Sequence, residues 1–151
     1  MPTRRLAYRT LERAEIDALL SRHNVGRIAY TFRDRVDVEP INYVYRDGWI
    51  YLRTGLGSKL TTLARHPWVA FEVDEVDGPF DWRSVVVHST VYELTPGGTE
   101  AQARVYDEAV ELLRGLIPET FTEEDPVPYR NVILQMKVEE VSGRASSTSA
   151  A

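Results

Sequence analysis

Residues 53 to 60, RTGLGSKL, combine residue types that can bind a phosphate group through positive charge, hydroxyl donors and an approachable backbone. The nucleoside-triphosphate loop has a similar composition, but its lysine directly follows the last glycine and precedes a hydroxyl residue. Here a serine precedes the lysine and a leucine follows it, so that loop is excluded. The residues of interest are Arg53, Thr54, Gly55, Gly57, Ser58 and Lys59.

The position of this segment in the chain fits an anion site. It follows a predicted strand at 49 to 54 and opens a predicted short helix at 60 to 66, which Pro67 halts. The N-terminus of a helix offers unpaired N–H groups and a dipole that favours negative charge. From the residues alone, an anion-binding loop and a plain helix start both remain open.

Other groups that could do chemistry have simpler interpretations. The acidic residues between 72 and 81 lack a calcium-loop spacing, because Val76 stands where a ligand is needed, and they alternate as on a solvated strand. The three histidines, at 23, 66 and 88, show no metal-ligand spacing, and no serine-hydrolase elbow is present. We therefore expect neither a metal site nor an acid–base pair from these residues.

Composition narrows the class of protein. The 151 residues predict one domain at 1–144, followed by a small polar tail at 145–151 that we expect to be disordered. A net charge of −5 argues against sequence-independent nucleic-acid binding, and the absence of cysteine excludes disulfides and thiol catalysis. No signal peptide or membrane span is recognisable, so we expect a cytoplasmic protein with no membrane partner.

The elements that would position the loop are mostly strands. Thr10 is expected to cap a first helix, and Thr99 with Gln102 forms a capping box that opens a longer one. Arg46-Asp47-Gly48 predicts a hairpin turn, and Pro40 a bulge or an edge. The pattern favours a small, mostly antiparallel six-stranded barrel with flanking helices. Its predicted strands are 26–32, 36–45, 49–54, 68–76, 83–94 and 131–141.

Three longer stretches, VGRIAYTF, VDVEPINYVYRDGWIYLRTGLGSKLTTLARHPWVAFEVDEV and WRSVVVHSTVYEL, give the loop its context. Their order and spacing resemble the pyridoxamine-5′-phosphate-oxidase-like family, the FMN-binding split barrels. The likeness covers about residues 10 to 94, and the closing VEEVSGR is similar to the family's final strand.

This resemblance implies a six-stranded split β-barrel that forms a homodimer, with FMN in each of two clefts at the interface. It places the phosphate at Arg53, Thr54, Ser58 and Lys59. It places the isoalloxazine ring along Pro40, Ile41, Asn42 and Tyr43. The cofactor would also be bordered, from the partner subunit, by Trp82, Ser84 and Val85.

The resemblance implies an oxidoreductase that moves a hydride or electrons through the flavin to a small molecule. A non-catalytic flavin store or sensor, and a scaffold with an empty site, are the alternatives. The chain ends VSGRASSTSAA rather than in the Arg-Leu-x-x-Pro type tail of true pyridoxamine-phosphate oxidases, which argues against the vitamin substrate. Arg53 stands where the nitroimidazole-reductase branch usually has a histidine, and a deazaflavin coenzyme remains possible instead of FMN.

Overall fold

The computed structural model of the chain describes residues 4–55, 58–62 and 68–150. Two α-helices, α1 (Arg13–Arg22) and α2 (Glu100–Leu116), and a 3₁₀ turn at Leu60–Thr62 accompany the sheet. The described strands are β1 (Arg4–Thr10), β2 (Val25–Phe32), β3 (Arg35–Arg46), β4 (Trp49–Thr54), β5 (Trp68–Gly78), β6 (Asp81–Leu94), β7 (Val132–Lys137) and β8 (Glu140–Ala150).

Six of the strands close into a ring. The order is β6-β5-β2-β3-β4-β7, and β7 pairs again with β6 to complete the circle, with every recorded pairing antiparallel. This arrangement confirms the predicted six-stranded split barrel. The other two strands extend the sheet outside the ring, with β8 against β6 and β1 against β8.

Alternation along the strands fills the ring with apolar side chains. Ile28, Ile50, Leu52, Phe71 and Val87 are fully buried, and α1 adds its own leucines to the same cluster. Helix α2 packs on the outside of the ring, where Ala109 and Leu113 contact the outward side chains of β4 and β7. The outer surface of β4 is therefore covered, and its inner surface faces the core.

Two tight turns set the registers of the hairpins. Asp47 and Gly48 have φ of 50° and 84°, the left-handed conformation that a two-residue hairpin loop requires, as the sequence predicted. Arg33 and Asp34 adopt the same conformation between β2 and β3, with φ of 49° and 61°. Pro40 pairs with Arg27 of β2, upstream of the residues of β3 that pair with β4, which agrees with its predicted edge position.

Both ends of the described chain are strands that the sequence analysis did not predict. Residues 4–10 form β1, and residues 145–150, which we expected to be disordered, belong to β8. The two segments pair with each other from Arg4 with Ala150 to Thr10 with Arg144. Small polar residues have low intrinsic strand propensity, so this pairing, rather than local preference, explains the strand.

The helices agree more closely with expectation. Thr99 caps α2 through its side chain, and Gln102 completes the predicted capping box. For α1, however, Thr10 is not the cap, because it ends β1; Glu12 is the N-cap and Glu15 returns the reciprocal bond. Of the predicted 60–66 helix, only the 3₁₀ turn lies within the described residues.

Within the described part of the chain, no helix has the length and apolar character needed to cross a membrane.

Candidate functional site

A cleft of about 570 Å³ opens where β3, β4 and the segment before β7 meet. It brings together five residues predicted to contact the cofactor, Gly55 of the predicted loop, and four residues that the sequence did not single out. The predicted residues that line it are Pro40, Ile41, Arg53, Thr54 and Ser58. The additional lining residues are Glu39, Gly55, Tyr129, Arg130 and Asn131.

The loop after β4 is held by its own hydroxyl groups. The Thr54 hydroxyl donates to Ser58 Oγ at 3.0 Å, and the Ser58 N–H donates to the Gly55 carbonyl at 3.1 Å. The Thr61 N–H donates back to the Ser58 carbonyl and side chain at 3.2 and 3.3 Å. The described helical part is the turn Leu60–Thr62, and the remainder of the predicted helix lies outside the described residues, so the contribution of a helix dipole stays a prediction. Gly57 lies outside the described residues.

Gly55 allows the loop to pack closely against the segment before β7. A β-carbon at this position would lie 3.0 Å from the carbonyl oxygen of Tyr129. A side chain here would push that backbone away by a few tenths of an ångström, so the glycine permits the two backbones to approach. It thereby places Tyr129 and Arg130 at the rim of the cleft.

Arg53 lines the cleft, but its charge is already compensated. Its Nη2 lies 2.7 Å from Oδ2 of Asp125, and the two side chains are only 5% and 1% exposed. Nε donates to the Arg130 carbonyl at 2.9 Å, Nη2 also reaches the Val127 carbonyl at 3.4 Å, and the guanidinium lies 4.7 Å above the ring of Phe121. Arg53 therefore holds the segment 121–130 against β4.

The partner carboxylate of this pair is strongly stabilised. Burial alone would raise the pKa of Asp125, but hydrogen bonds from Arg53 and from the N–H groups of Phe121 and Val127 outweigh it and lower the pKa to about 2. Asp125 is consequently ionised under any physiological condition. The charge of this carboxylate therefore does not change within the physiological pH range.

Arg130 contributes a second cation to the cleft. Its side chain is half-buried, and Nη1 donates to Oδ1 of Asn42 at 3.2 Å. Its backbone N–H donates to the Val127 carbonyl. Among the described residues, the Arg130 guanidinium forms no ion pair with a carboxylate. Sequence reasoning missed this residue, because it lies in an irregular segment far from the RTGLGSKL loop.

Lys59 lies beside the cleft rather than in its lining. Nζ forms an ion pair with Asp37 at 3.1 Å, with the lysine side chain 55% exposed, and lies 6.0 Å from the ring centre of Phe32.

Glu39 of β3, which lines the cleft, accepts a hydrogen bond from Tyr30 at 3.3 Å. Burial, and then the charge of Glu39, raises the pKa of Tyr30 to about 12, so this phenol remains a donor.

Tyr43 has its side chain in the core, and its expected place along the cofactor ring stays a prediction. Its side chain is fully buried, its hydroxyl donates to the Leu20 carbonyl at 2.7 Å, and its ring meets Phe71 edge-on at 5.1 Å. The side chain therefore belongs to the core and does not line the cleft. Ile41 lies two residues earlier on the same inner face and does line the cleft, so the position of Tyr43 farther along β3, rather than its face, separates it from the cleft.

The Trp82 to Val85 segment lies on β6, away from the cleft of the same chain. Val85 is in the core, whereas the Ser84 hydroxyl donates to Glu72 on the outer face of the sheet at 3.0 Å. Trp82 is half-buried and shares that outer face with Ser84. Their expected contact with a cofactor from the partner subunit stays a prediction.

The closed ring, the two outer strands and the cleft between β3 and β4 define a split-barrel protein. The family profile for pyridoxamine 5′-phosphate oxidase matches residues 12–145, and the chain belongs to this family.

Solved structures agree with that assignment. A FAD-binding protein from Mesorhizobium loti is 28% identical, with 93% of this chain and 98% of that chain covered and a TM-score of 0.71. A Corynebacterium glutamicum protein provisionally named a pyridoxamine 5′-phosphate oxidase is 26% identical, with 95% and 100% covered and a TM-score of 0.66. The FAD-binding protein from Mycobacterium smegmatis, at 22% identity, 91% and 97% coverage and a TM-score of 0.61, shares the fold. A search of curated proteins finds no significant match.

Proposed function

We propose that this protein binds a flavin nucleotide in the cleft between β3 and β4 and acts as an oxidoreductase on a small molecule. The observation that carries the proposal is the lining of the cleft. It combines Thr54 and Ser58 hydroxyls, the carboxylate of Glu39, an apolar wall, and Arg130, which forms no ion pair among the described residues. Such a lining suits a ligand with an anionic end and a flat, largely apolar ring.

The donor set fits the phosphate-bearing end of a flavin nucleotide. Thr54 and Ser58 supply hydroxyl groups at one end of the cleft, and Arg130 supplies charge. Pro40 and Ile41 supply an apolar surface on the neighbouring strand. Asn42 is not among the lining residues, but it contacts Arg130 at the cleft and carries an amide that could hydrogen-bond to a ring edge. FMN, FAD and a deazaflavin coenzyme all carry phosphate, and the FAD-binding relative from Mesorhizobium loti makes FAD a candidate beside FMN.

A bound flavin supplies the hydride or electron transfer, so the chain itself needs no acid–base pair. Its own residues would bind, orient and shield the ligand. In this interpretation Asn42 positions the ring, and the Thr54 hydroxyl, by donating to Ser58 Oγ, orients the Ser58 hydroxyl as a donor at the phosphate end. Preformed donors reduce the ordering cost of binding.

We further propose that the protein is a homodimer. Val36, Val38 and Trp68 are 78%, 67% and 67% exposed, and the strand registers place them on one outer sheet face with Trp82 and Ser84. Exposed apolar groups that share a face mark an interaction surface. Val38 is two residues from Pro40 on that face, so a second copy seated there would also border the cleft.

The test of flavin binding is optical. Protein purified without added cofactor, or mixed with FMN, FAD or a deazaflavin, is expected to show flavin absorbance and quenched fluorescence. If none of the three binds at micromolar concentration, the oxidoreductase and the flavin-store interpretations both fail.

A second measurement separates the enzyme from a store or sensor. The flavin-loaded protein is mixed anaerobically with NADPH or with reduced deazaflavin, and bleaching of the flavin band is followed. We expect reduction by one donor, followed by reoxidation with turnover of an added acceptor. Binding without reduction by either donor would favour the store or sensor.

A further inference from the structure

The two arginines that line the cleft differ in whether their positive charge is paired with a carboxylate. Arg53 is buried against Asp125 at 2.7 Å, whereas Arg130 donates to a neutral amide and has no ion pair among the described residues. A cation that is already compensated attracts an incoming anion less than one that is not. Position in the sequence favoured Arg53 for phosphate recognition, but the charge balance favours Arg130.

Arg53 instead makes the contacts expected of a group that orders a segment. Its guanidinium reaches Asp125, the Val127 carbonyl and the Arg130 carbonyl, and it covers the ring of Phe121. Asp125 in turn accepts hydrogen bonds from the N–H groups of Phe121 and Val127. The pair thus ties the segment 121–130 at several points, including the backbone of Arg130 itself.

We propose that Arg130 is the residue that recognises the phosphate of the flavin nucleotide, and that Arg53 is a positioning residue that acts through Asp125 and the segment 121–130. This inference rests on the proposed flavin binding. It deepens that proposal by assigning the preference for a phosphorylated flavin to one side chain. Riboflavin, which has the same ring without the phosphate, gives the matched ligand.

The first experiment measures the affinities of FMN and riboflavin by fluorescence quenching for the wild type and for Arg130→Gln, Arg130→Lys and Arg104→Gln. Loss of a charge-assisted hydrogen bond weakens FMN binding by roughly 10- to 150-fold. We expect that loss for Arg130→Gln with riboflavin binding unchanged, and partial recovery in Arg130→Lys. Arg104 is exposed on α2 outside the cleft lining, so Arg104→Gln makes the same charge change as a control and is expected to bind FMN normally.

The second experiment is a double-mutant cycle on the ratio of the riboflavin to the FMN dissociation constant. Arg53→Lys keeps the charge beside Asp125 but loses the forked geometry that ties the segment. If Arg53 acts through Arg130, Arg53→Lys lowers this ratio in the wild type but not in the Arg130→Gln background. A merely structural role would weaken both ligands and leave the ratio unchanged.

The outcomes distinguish a failure of the proposed flavin binding from a failure of the assignment to Arg130. If the wild type binds neither ligand, the proposed flavin binding fails and the inference falls with it. If the wild type prefers FMN and Arg130→Gln keeps that preference, the assignment to Arg130 is overturned while flavin binding stands. An equal fall of the ratio for Arg53→Lys in both backgrounds would mean that Arg53 contacts the phosphate independently.

Discussion

Nη2 of Arg53 and Oδ2 of Asp125 lie 2.7 Å apart across 72 positions of the sequence, with both side chains buried. The contact joins the C-terminal end of β4 to the irregular segment between α2 and β7. Buried charges are tolerated only when they are paired and hydrogen-bonded, and here both conditions are met by residues that also shape the cleft. The stability of this region and the form of the cleft are therefore coupled.

Asp125 should make the stability of the protein depend on acidic pH. Its pKa is lowered from 3.8 to about 2 in the folded state, so its contribution is complete above its ordinary pKa and is lost as pH falls toward 2. The shift corresponds to about 2 kcal/mol. We expect the free energy of unfolding, measured with urea, to fall between about pH 5 and pH 2, more steeply in the wild type than in Asp125→Asn.

The same variant also tests the buried pair at neutral pH. Asp125→Asn leaves the buried charge of Arg53 without its partner, which costs about 3–5 kcal/mol of unfolding free energy. The control is Glu119→Gln, an exposed acid in the same connection. Equal stabilities of Asp125→Asn and Glu119→Gln at pH 7 would contradict the energetic role assigned to the pair.

Replacing either of two glycines with alanine should change the free energy of unfolding, in opposite directions for the two positions. At Gly26 of β2 a β-carbon would lie 2.7 Å from Cε2 of Phe71 and 3.0 Å from the Glu72 carbonyl, so Gly26→Ala is expected to destabilise by about 1–3 kcal/mol. At Gly115 of α2 the same group meets no described atom within 4 Å, and helix propensity predicts a gain of up to about 1 kcal/mol. Guanidinium denaturation measures both. A stabilised Gly26→Ala would show that the contact with Phe71 relaxes without cost.

Lys59 should make a smaller contribution to phosphate binding than Arg130. It is more than half exposed and is paired with Asp37, so we expect Lys59→Ala to weaken FMN binding by less than about tenfold and to leave riboflavin binding unchanged. Asp37→Asn removes the competing carboxylate and should strengthen FMN binding. Fluorescence titration checks both variants, and a loss of FMN affinity in Asp37→Asn would contradict this interpretation.

Val38 offers a test of the proposed dimer. Val38→Asp places a charge on the exposed apolar face of the sheet, where a folded single chain tolerates it but an apolar interface does not. Light scattering is expected to give a dimer for the wild type and a mass near 17.2 kDa for the variant. Ala101→Asp adds the same charge to the exposed side of α2 as a control. A wild type that is monomeric with flavin bound would refute the homodimer.

The central strands could be predicted from the sequence because their signals are local. Alternation located β2 to β6 to within about two residues, and Asp47-Gly48 fixed the turn between β3 and β4. β1 and the last part of β8, residues 145–150, escaped prediction because the first is rich in arginine and the second in small polar residues. These two segments form strands by pairing with each other, and a pairing between distant segments cannot be predicted from a local sequence pattern.

The candidate site likewise contains some residues that the sequence predicted and others that it did not. The loop residues Thr54 and Ser58 were recognisable from composition and position, and they do line the cleft. Arg130 and the pairing of Arg53 with Asp125 were not recognisable, because they depend on how a long irregular segment folds back on β4. Tyr43 could have been assigned to the core, since alternation places it on the inner face two residues after Ile41.

The closure of the ring has a consequence for how the chain folds. β7 pairs with both β4 and β6, matching Trp49 with Lys137 and Val91 with Met136, so the circle cannot close before this late segment arrives. Pairings between such distant segments slow folding to the range of milliseconds to seconds. During synthesis, β4 and the end of β6 therefore expose unpaired edges that can join those of another nascent chain. We therefore expect the interval before β7 emerges to be prone to aggregation.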